Sequence, residues 1–268
     1  IMKKSFKILI FILSFLGFAA GGLVIGHILV NGIPNISSGL FSMQYTSENV
    51  SIMPALITTL YTILITLIVT LPIGIFTAIY LSQYAKNKYF IGIVRFATEI
   101  LSSIPSIVYG LFGYIFFAAT LKMGYSLLAG SLTVAIMILP TIIRTTEEAM
   151  LTVNPLQAHA SLALGATKIQ TIFKIIIPEA MDGILAGIFL STGRIVGESA
   201  ALIYTMGTMA AIPKSFFDSA RTLAVHMFVL SSEGFHVQEA YATAVLLLIF
   251  VIVLNSVSSW ISRALVKK

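Results

Sequence analysis

The sequence contains no cysteine, which excludes a disulfide framework, thiol catalysis and cysteine-bound zinc or iron–sulfur sites. It also carries little charge: Asp, Glu, Lys and Arg make up 10% of its 268 residues, whereas soluble domains usually carry about 25%. The His-Glu-x-x-His and Gly-x-Ser-x-Gly motifs of common hydrolases are absent. Its histidines match no common metal-binding spacing, so no metal site is predicted. These absences argue against a soluble domain and against an enzyme.

Apolar residues, by contrast, are abundant and make up 58% of the chain. An ionised side chain is costly at the centre of a bilayer, so long charge-free runs indicate candidate membrane helices of about 20 residues. Turn residues set the limits of these runs. The runs predict six spans at about 8–30, 54–82, 97–120, 126–144, 183–206 and 240–262. The sequence therefore predicts an all-α polytopic membrane protein with one transmembrane domain over residues 1–268.

Basic residues are distributed unevenly between the predicted loops. If Lys3, Lys4 and Lys7 lie in the cytoplasm, most other Lys and Arg residues fall on the same side. Positive charge in short loops is typical of the cytoplasmic face, so both termini are predicted there. The first apolar stretch is longer than the roughly 7 to 15 residues of a signal peptide, and we interpret it as an uncleaved helix. This orientation makes 145–182 a cytoplasmic loop and 207–239 an external loop, and it explains the net charge of +6 without a nucleic-acid partner.

The predicted cytoplasmic loop has a helical pattern. Asn154 and Pro155 are typical of a helix start, because Asn caps and Pro is favoured at the first helical position. Apolar residues then recur at spacings of three and four. Gly165 permits a turn, and a second amphipathic piece from Lys168 to Ile177 is predicted to stop at Pro178. A short helical pair of this kind on the inner face of a membrane is suited to docking on another protein.

The same loop resembles the signature of permease subunits of ABC importers. That signature is Glu-Ala-Ala, three free residues, Gly, nine free residues, then Ile, one free residue, Leu and Pro. At these spacings the sequence has His159, Ala160, Ser161, Gly165, Ile175, Ile177 and Pro178. His159 stands where the signature has Glu, Ser161 where it has Ala, and Ile177 where it has Leu. A contact that depends on the signature's carboxylate must therefore differ here.

The resemblance implies that the loop, about residues 156–178 and including Lys168, couples to a cytoplasmic ATP-binding subunit. The chain itself has no Gly-x-x-x-x-Gly-Lys-Ser/Thr phosphate-binding loop. We therefore expect no cofactor on this chain, with ATP and Mg bound by the partner, and a transport subunit rather than an enzyme.

Four further segments resemble the phosphate-specific branch of these permeases, and in particular its second permease subunit. They are residues 102–110, 144–149, 193–200 and 219–226. The resemblance implies the type I permease fold in a prokaryotic plasma (inner) membrane, with this chain forming half of a path for inorganic phosphate. It also implies the partners: a homologous second permease, two ATP-binding subunits and an external phosphate-binding protein.

Arg194 and Glu198 are the most informative charged residues within a predicted span. Four residues apart on a helix, they lie on one face and can pair directly. Either charge alone would be costly in hydrocarbon, so both are expected to face the interior or a water-filled path. Our hypothesis is that Arg194 attracts the anion while Glu198 holds the guanidinium and weakens its grip. The alternative is a buried salt bridge that only joins two helices.

Three other sites are candidates for the path or its gate. Ser102 and Ser103 precede Pro105, which frees a backbone carbonyl that a neighbouring hydroxyl or water must satisfy. Such a break lines a cavity or only kinks the packing. Arg221, in the predicted external loop, either guides the anion or is a solvated side chain.

The last candidate is a charged group at the inner end of the fourth span. Arg144 with Glu147 and Glu148 forms either an interfacial Arg beside a solvated acidic pair or a gate and coupling contact.

Other functions remain open from the residues alone. The substrate is alternatively another oxyanion, such as sulfate, molybdate or phosphonate. An ATP-independent transporter is a further alternative, but it leaves the loop signature unexplained and 268 residues without repeats are few for one.

Overall fold

The computed structural model describes residues 4–266, and the regular structure in that range is helical throughout. Eleven α-helices follow one another along the described chain. They are α1 Lys4–Gly32, α2 Met53–Ile79, α3 Lys88–Ser103, α4 Ser106–Gly113, α5 Leu127–Thr152, α6 Pro155–Ala163, α7 Lys168–Thr171, α8 Ile177–Gly197, α9 Ala200–Thr205, α10 Leu223–Glu233 and α11 Val237–Val266. Wider π-helical turns continue three of them. These turns are Tyr80–Tyr84 after α2, Tyr114–Thr120 after α4 and Ile172–Ile176 between α7 and α8.

Four helices of the described chain are long and apolar enough to cross a membrane. They are Leu9–Asn35, Met53–Tyr84, Leu127–Thr152 and Val237–Trp260. A fifth candidate consists of Lys88–Ser103 and Ser106–Thr120, two helices at 97° to each other. The prediction of an all-α membrane protein is confirmed at the level of four to five candidate spans. The predicted span at 183–206 is not among them, because α8 ends at Gly197 and carries Glu179 and Asp182 near its start.

Two helix limits differ from those expected from the sequence. Helix α5 continues to Thr152, so the predicted loop starts eight residues inside it. The prediction that Pro178 ends a helix is wrong, because Pro178 lies in the first turn of α8, where proline is tolerated. The π turn Ile172–Ile176 leads directly into that first turn, so the chain is helical without interruption from Lys168 to Gly197.

Helices α2 and α5 form the most extensive contact of the bundle. Thr58, Thr62, Thr66 and Thr70 lie fully buried at a spacing of four along α2. The hydroxyls of Thr62 and Thr70 donate to carbonyls one turn earlier, and that of Thr66 donates to the Ser131 carbonyl of α5 at 3.2 Å. Small residues with satisfied hydroxyls let two helices approach closely in an apolar environment.

The two ends of α5 carry different structures. At its start, the amide of Ser126 donates to the Thr205 carbonyl and that of Leu127 donates to the Asp218 carbonyl, at 3.1 and 2.9 Å. At its other end, α5 leads through two residues into α6. With about 1.5 Å per residue, α5 is about 39 Å long. The segment from Thr205 to Thr222 and the loop that contains α6 therefore lie at opposite ends of the bundle.

Candidate functional site at two broken helices

Glu198 lies where the chain breaks between α8 and α9. Its backbone is extended, with φ −74° and ψ 127°, so the helical path of α8 ends at Gly197. The Glu198 side chain is buried, with 8% of its surface exposed, and its Oε1 accepts a hydrogen bond from the Ala201 amide at 3.0 Å. This carboxylate satisfies an amide that the first turn of α9 would otherwise leave unpaired.

Arg194, one turn before the break, is half-buried on α8. The direct pairing with Glu198 expected from the four-residue spacing is not formed, and no ion pair within residues 4–266 includes Arg194. The physical reason is the extended backbone at Glu198, which takes its carboxylate off the face of α8 and onto α9. Among residues 4–266, no carboxylate therefore forms an ion pair with the guanidinium of Arg194.

A second broken helix lies between α3 and α4. Pro105 has no amide hydrogen to donate to the Leu101 carbonyl four residues earlier. The hydroxyl of Tyr109 donates to that carbonyl at 2.7 Å. A hydroxyl therefore bonds to this carbonyl, as predicted, and it belongs to Tyr109. The Ile104 amide also donates to the same carbonyl, at 3.3 Å, so the carbonyl has two donors. Ser102 and Ser103 are exposed and donate instead to carbonyls of their own helix, at 2.8 and 2.7 Å.

The two breaks are neighbours in space because α4 packs against α9. Gly110 makes this contact possible: a Cβ at that position would lie 2.9 Å from the Ala201 Cα. Arg194 lies near Tyr109, the residue whose hydroxyl bonds across the other break. The fold thus brings Arg194, Glu198 and Tyr109 into one region from segments about 90 residues apart. Sequence reasoning missed Tyr109 and Gly110, although both belong to the segment that carries the resemblance.

Arg221 lies elsewhere, immediately before α10, and the alternative of a solvated side chain is wrong. It is 5% exposed, and its guanidinium carbon lies 4.7 Å from the centre of the Tyr45 ring. The ring of Tyr45 also contacts His226, at 5.9 Å between ring centres. Burial, and then the charge of Arg221, lower the pKa of His226 to about 3, so this histidine is neutral at ordinary pH.

The charged group near the end of α5 splits into two ion pairs. Arg144 pairs with Glu148 at 2.9 Å, and both side chains are exposed. Glu147 is buried, with 5% of its surface exposed, and pairs with Arg95 of α3 at 2.6 Å. The interpretation of Glu147 and Glu148 as a solvated acidic pair is therefore wrong for Glu147. A cavity of about 320 Å³ lies between these charges, lined also by Thr98, Glu99 and Leu151.

The loop after α5 has the helix start and the turn expected from its sequence. The Asn154 side chain accepts a hydrogen bond from the Leu156 amide, and Pro155 is the first residue of α6. Gly165 has a φ of +85°, a conformation that favours glycine. Lys168 donates to the Gln83 carbonyl. Its ammonium also lies 4.4 Å from the centre of the Tyr84 ring, so it ties the loop to the end of α2.

The residues of the ABC-importer signature divide into exposed and half-buried positions of this loop. His159, Ala160 and Gly165 are exposed on or after α6, whereas Ile175 and Ile177 are half-buried. The hydroxyl of Ser161 is bonded to that of Thr171 at 3.0 Å and so links α6 to α7. Pro178 is exposed. Around His159 and Gly165 the loop also presents large apolar side chains that the rest of this chain leaves exposed. They are Leu156, Leu162, Leu164, Ile169 and Phe173.

A helical bundle with broken spans at its centre and an exposed, partly apolar helical loop at one end defines a membrane transport component of the ABC importer type. The comparisons agree. Residues 70–268 match the family described as "Binding-protein-dependent transport system inner membrane component". The chain belongs to this family.

Relatives with curated names include permeases of phosphate systems. The chain is 31% identical to the "Probable ABC transporter permease protein YqgI" of Bacillus subtilis over 261 residues, covering 90% of this chain and 88% of that one. It is 30% identical to the "Phosphate transport system permease protein PstA" of Haemophilus influenzae, covering 85% of this chain and 82% of that one. The resemblance to permeases of this branch is confirmed.

Solved structures confirm the fold. A chain in an inward-facing structure of the MetNI methionine ABC transporter is similar with a TM-score of 0.65 at 22% identity, over 80% of this chain and 94% of that one. A chain of a bacterial alginate ABC transporter is similar with a TM-score of 0.71 at 14% identity, over 98% and 94%. At these identities the likeness concerns the type I permease fold alone.

Proposed function

We propose that this chain is a permease subunit of an ATP-driven phosphate importer and forms half of its translocation path. Its membership in the permease family and the phosphate transport names of several relatives support this proposal. The observation that carries it is Arg194, a half-buried guanidinium with no ion-pair partner among the described residues, next to two broken helices. A guanidinium in such a place is suited to attract an oxyanion.

In this proposal, Glu198 has a different role from the one expected from sequence. It does not hold the guanidinium of Arg194, and instead its bond to the Ala201 amide fixes the start of α9. The path is lined where α8 and α9 separate and where α3 and α4 separate, since broken helices in membranes occur where backbone groups face protein or water. Ser102 and Ser103, exposed at the second break, lie on its wall.

The exposed loop around α6 is the proposed contact with a cytoplasmic ATP-binding subunit. In this proposal the termini lie in the cytoplasm as well, which the distribution of Lys and Arg along the sequence supports. The complete transporter then contains a second, homologous permease, two ATP-binding subunits that hold ATP and Mg, and an external phosphate-binding protein. ATP binding and hydrolysis in those subunits select between two access states of the path.

Uptake of labelled phosphate tests this proposal, in cells that lack the chain and in the same cells with the chain restored. We expect energised phosphate uptake to return with the chain and to resist competition by sulfate and molybdate. Uptake that returns for sulfate or molybdate, and not for phosphate, would retain the importer and reject the substrate. No change for any oxyanion would reject the proposed substrate class.

Variants of Arg194 test the proposed path residue. Arg194→Gln is expected to lower uptake about tenfold or more, as expected for the loss of a charged hydrogen-bonding contact. Arg194→Lys keeps the charge without the planar fork, and its uptake is expected to lie between that of Arg194→Gln and that of wild type. Arg144→Gln is the matched control, because Arg144 is exposed and paired with Glu148. Equal uptake by Arg194→Gln and wild type, at equal membrane abundance, would exclude this role.

A further inference from the structure

A polar cluster around the cation Arg221 lies at the opposite end of the bundle from the α6 loop. It consists of Arg221, Thr222 and His226 at the start of α10, with the ring of Tyr45 against Arg221 and His226. Arg221 is 5% exposed, and Thr222 and His226 are not exposed at all. The amide of Leu223 donates to the Thr59 hydroxyl at 2.9 Å and so holds the start of α10 against α2.

The polar atoms of this cluster lack partners. Nε and Nη2 of Arg221 and the hydroxyl of Thr222 make no hydrogen bond, although all three atoms are buried. None of the ion pairs in residues 4–266 includes Arg221. The His226 ring lies beside the Val50 backbone without a hydrogen bond of good geometry. Because unpaired buried charges are costly, such a group points to a ligand that completes it.

The unpaired atoms define the geometry of that ligand. Nε and Nη2 form one edge of the planar guanidinium, the edge that accepts two oxygens of an anion side by side. The same two atoms of Arg95 both donate to Oε1 of Glu147, at 3.1 and 2.6 Å, so this edge also binds a carboxylate elsewhere in the chain. In Arg221 these two atoms make no hydrogen bond, and the Tyr45 ring lies against the face of the guanidinium.

The surroundings favour an anion over any other ligand. The Thr222 hydroxyl adjoins the guanidinium along the chain and can donate a third hydrogen bond. The start of α10, an eleven-residue helix, places the positive end of its dipole next to Arg221. His226 is neutral and therefore offers no competing charge. A planar fork, a hydroxyl and a helix start together match a tetrahedral oxyanion better than a halide.

We propose that Arg221, Thr222 and the first turn of α10 bind a tetrahedral oxyanion of the phosphate class at a site separate from Arg194. Anion binding here follows from the cluster itself. That the bound anion is also the transported one rests on the proposed function. The site would then hold substrate at one end of the path, about the length of α5 away from the loop that contacts the ATPase.

Thermal unfolding of the assembled transporter in detergent tests the site, with inorganic phosphate titrated at constant ionic strength. We expect the unfolding temperature to rise saturably with phosphate and not with chloride. Arg221→Gln is expected to raise the apparent Kd for phosphate about tenfold or more, as for a lost charged contact. Lys214→Gln is the control, because Lys214 is an exposed cation of the same segment and its loss is expected to leave the Kd unchanged.

Two further variants keep the test decisive. If Arg221→Gln does not fold, Thr222→Val removes only the unpaired hydroxyl and is expected to raise the Kd severalfold. Lys122→Gln, which removes another exposed cation outside the cluster, is expected to retain the phosphate-dependent shift. No saturable shift with phosphate or sulfate in the wild type, or an unchanged Kd in Arg221→Gln and Thr222→Val, would overturn the site. A shift that persists in a transporter that does not import phosphate would instead reject only the proposed function.

Discussion

At the scale of single residues, the two helix breaks are held by polar side chains that hydrogen-bond to the backbone there. Tyr109 and Glu198 show the same principle at two breaks: each side chain makes a hydrogen bond to a backbone group next to the break. In hydrocarbon such groups have no water to turn to, so the side chains hold the breaks in place. The polar residues at these breaks are therefore structural as well as functional candidates.

Tyr109→Phe tests the first of these contacts. The change removes one hydrogen bond to the Leu101 carbonyl and nothing else of the ring, so we expect a loss of about 0.5 to 1.5 kcal/mol. Thermal unfolding in detergent measures it as a lower midpoint. Tyr114→Phe is the control, since Tyr114 is exposed and the change keeps its ring stacked on that of Tyr125. Equal midpoints for the two variants would show that the Ile104 amide, which also donates to the Leu101 carbonyl, is sufficient without the Tyr109 hydroxyl.

His226 predicts a pH dependence of stability. Its pKa is lowered from 6.5 to about 3 in the folded chain, so the unfolded chain binds more protons between these values. The folded state is therefore fully favoured above about pH 6.5 and loses stability as the pH falls toward 3, by about 2 kcal/mol at pH 5. We expect wild type to lose more thermal stability than His226→Gln between pH 7.5 and pH 5. Parallel losses would show that His226 is not the titrating group.

At the scale of elements, one ion pair joins α3 to α5. None of its residues is buried, and its main helix contact is with α5. The Arg95–Glu147 pair is its ionic link to that helix and has a nearly buried carboxylate on one side and a half-exposed guanidinium on the other. Glu147 lies five residues before the end of α5, and α6 follows two residues later. A displacement of α6 would reach α3 through this pair.

Arg95→Ala strands the buried Glu147 carboxylate. We expect a loss of about 1 to 3 kcal/mol, less than for a fully buried pair because Arg95 is half-exposed. Arg144→Ala breaks an ion pair of similar chemistry that is exposed on both sides, and is expected to lower the unfolding midpoint less than Arg95→Ala does. Adding Glu147→Gln to Arg95→Ala is expected to restore part of the stability. The measurement is the unfolding midpoint in detergent. Equal midpoints for Arg95→Ala and Arg144→Ala would contradict the expected difference in stability.

At the scale of the whole molecule, the chain leaves a large apolar surface exposed around α6. The apolar side chains around α6 are exposed although this loop is outside the candidate spans, with Leu164 90% and Leu156 72% exposed. Apolar surface of this kind marks an interface with another protein. The single domain predicted over residues 1–268 is therefore expected to be stable only as part of a larger assembly.

Leu164→Glu tests whether this surface holds the ATP-binding subunit. Burying a carboxylate at an apolar contact is costly, so we expect the ATP-binding subunits to copurify several-fold less with the variant. Gln157→Glu adds the same charge to the same loop at a polar exposed position and is expected to copurify normally. Unchanged copurification of Leu164→Glu would place the interface elsewhere. Equal thermal stability of the two permeases alone would confirm that neither change acts by unfolding.

The sequence by itself determined the class of the protein, because apolar runs, helix caps and proline act through neighbours along the chain. The start of α6 at Asn154 and Pro155, the turn at Gly165 and the break at Pro105 all follow from such local preferences. Residues at fixed spacing in one loop also carried the resemblance to ABC importer permeases, and the match over residues 70–268 confirms that family.

Only the tertiary structure decided which charges meet. The spacing of Arg194 and Glu198 predicted an ion pair. The backbone of Glu198 is extended at the helix break, however, so its carboxylate accepts a hydrogen bond from α9 instead. Glu147 pairs with Arg95, 52 positions earlier in the sequence. The guanidinium of Arg221 is covered by the ring of Tyr45, which is also distant in the sequence. These contacts join distant segments, and no local periodicity encodes them. The physical reason is that the cost of an unpaired charge is set by its three-dimensional surroundings rather than by its sequence neighbours.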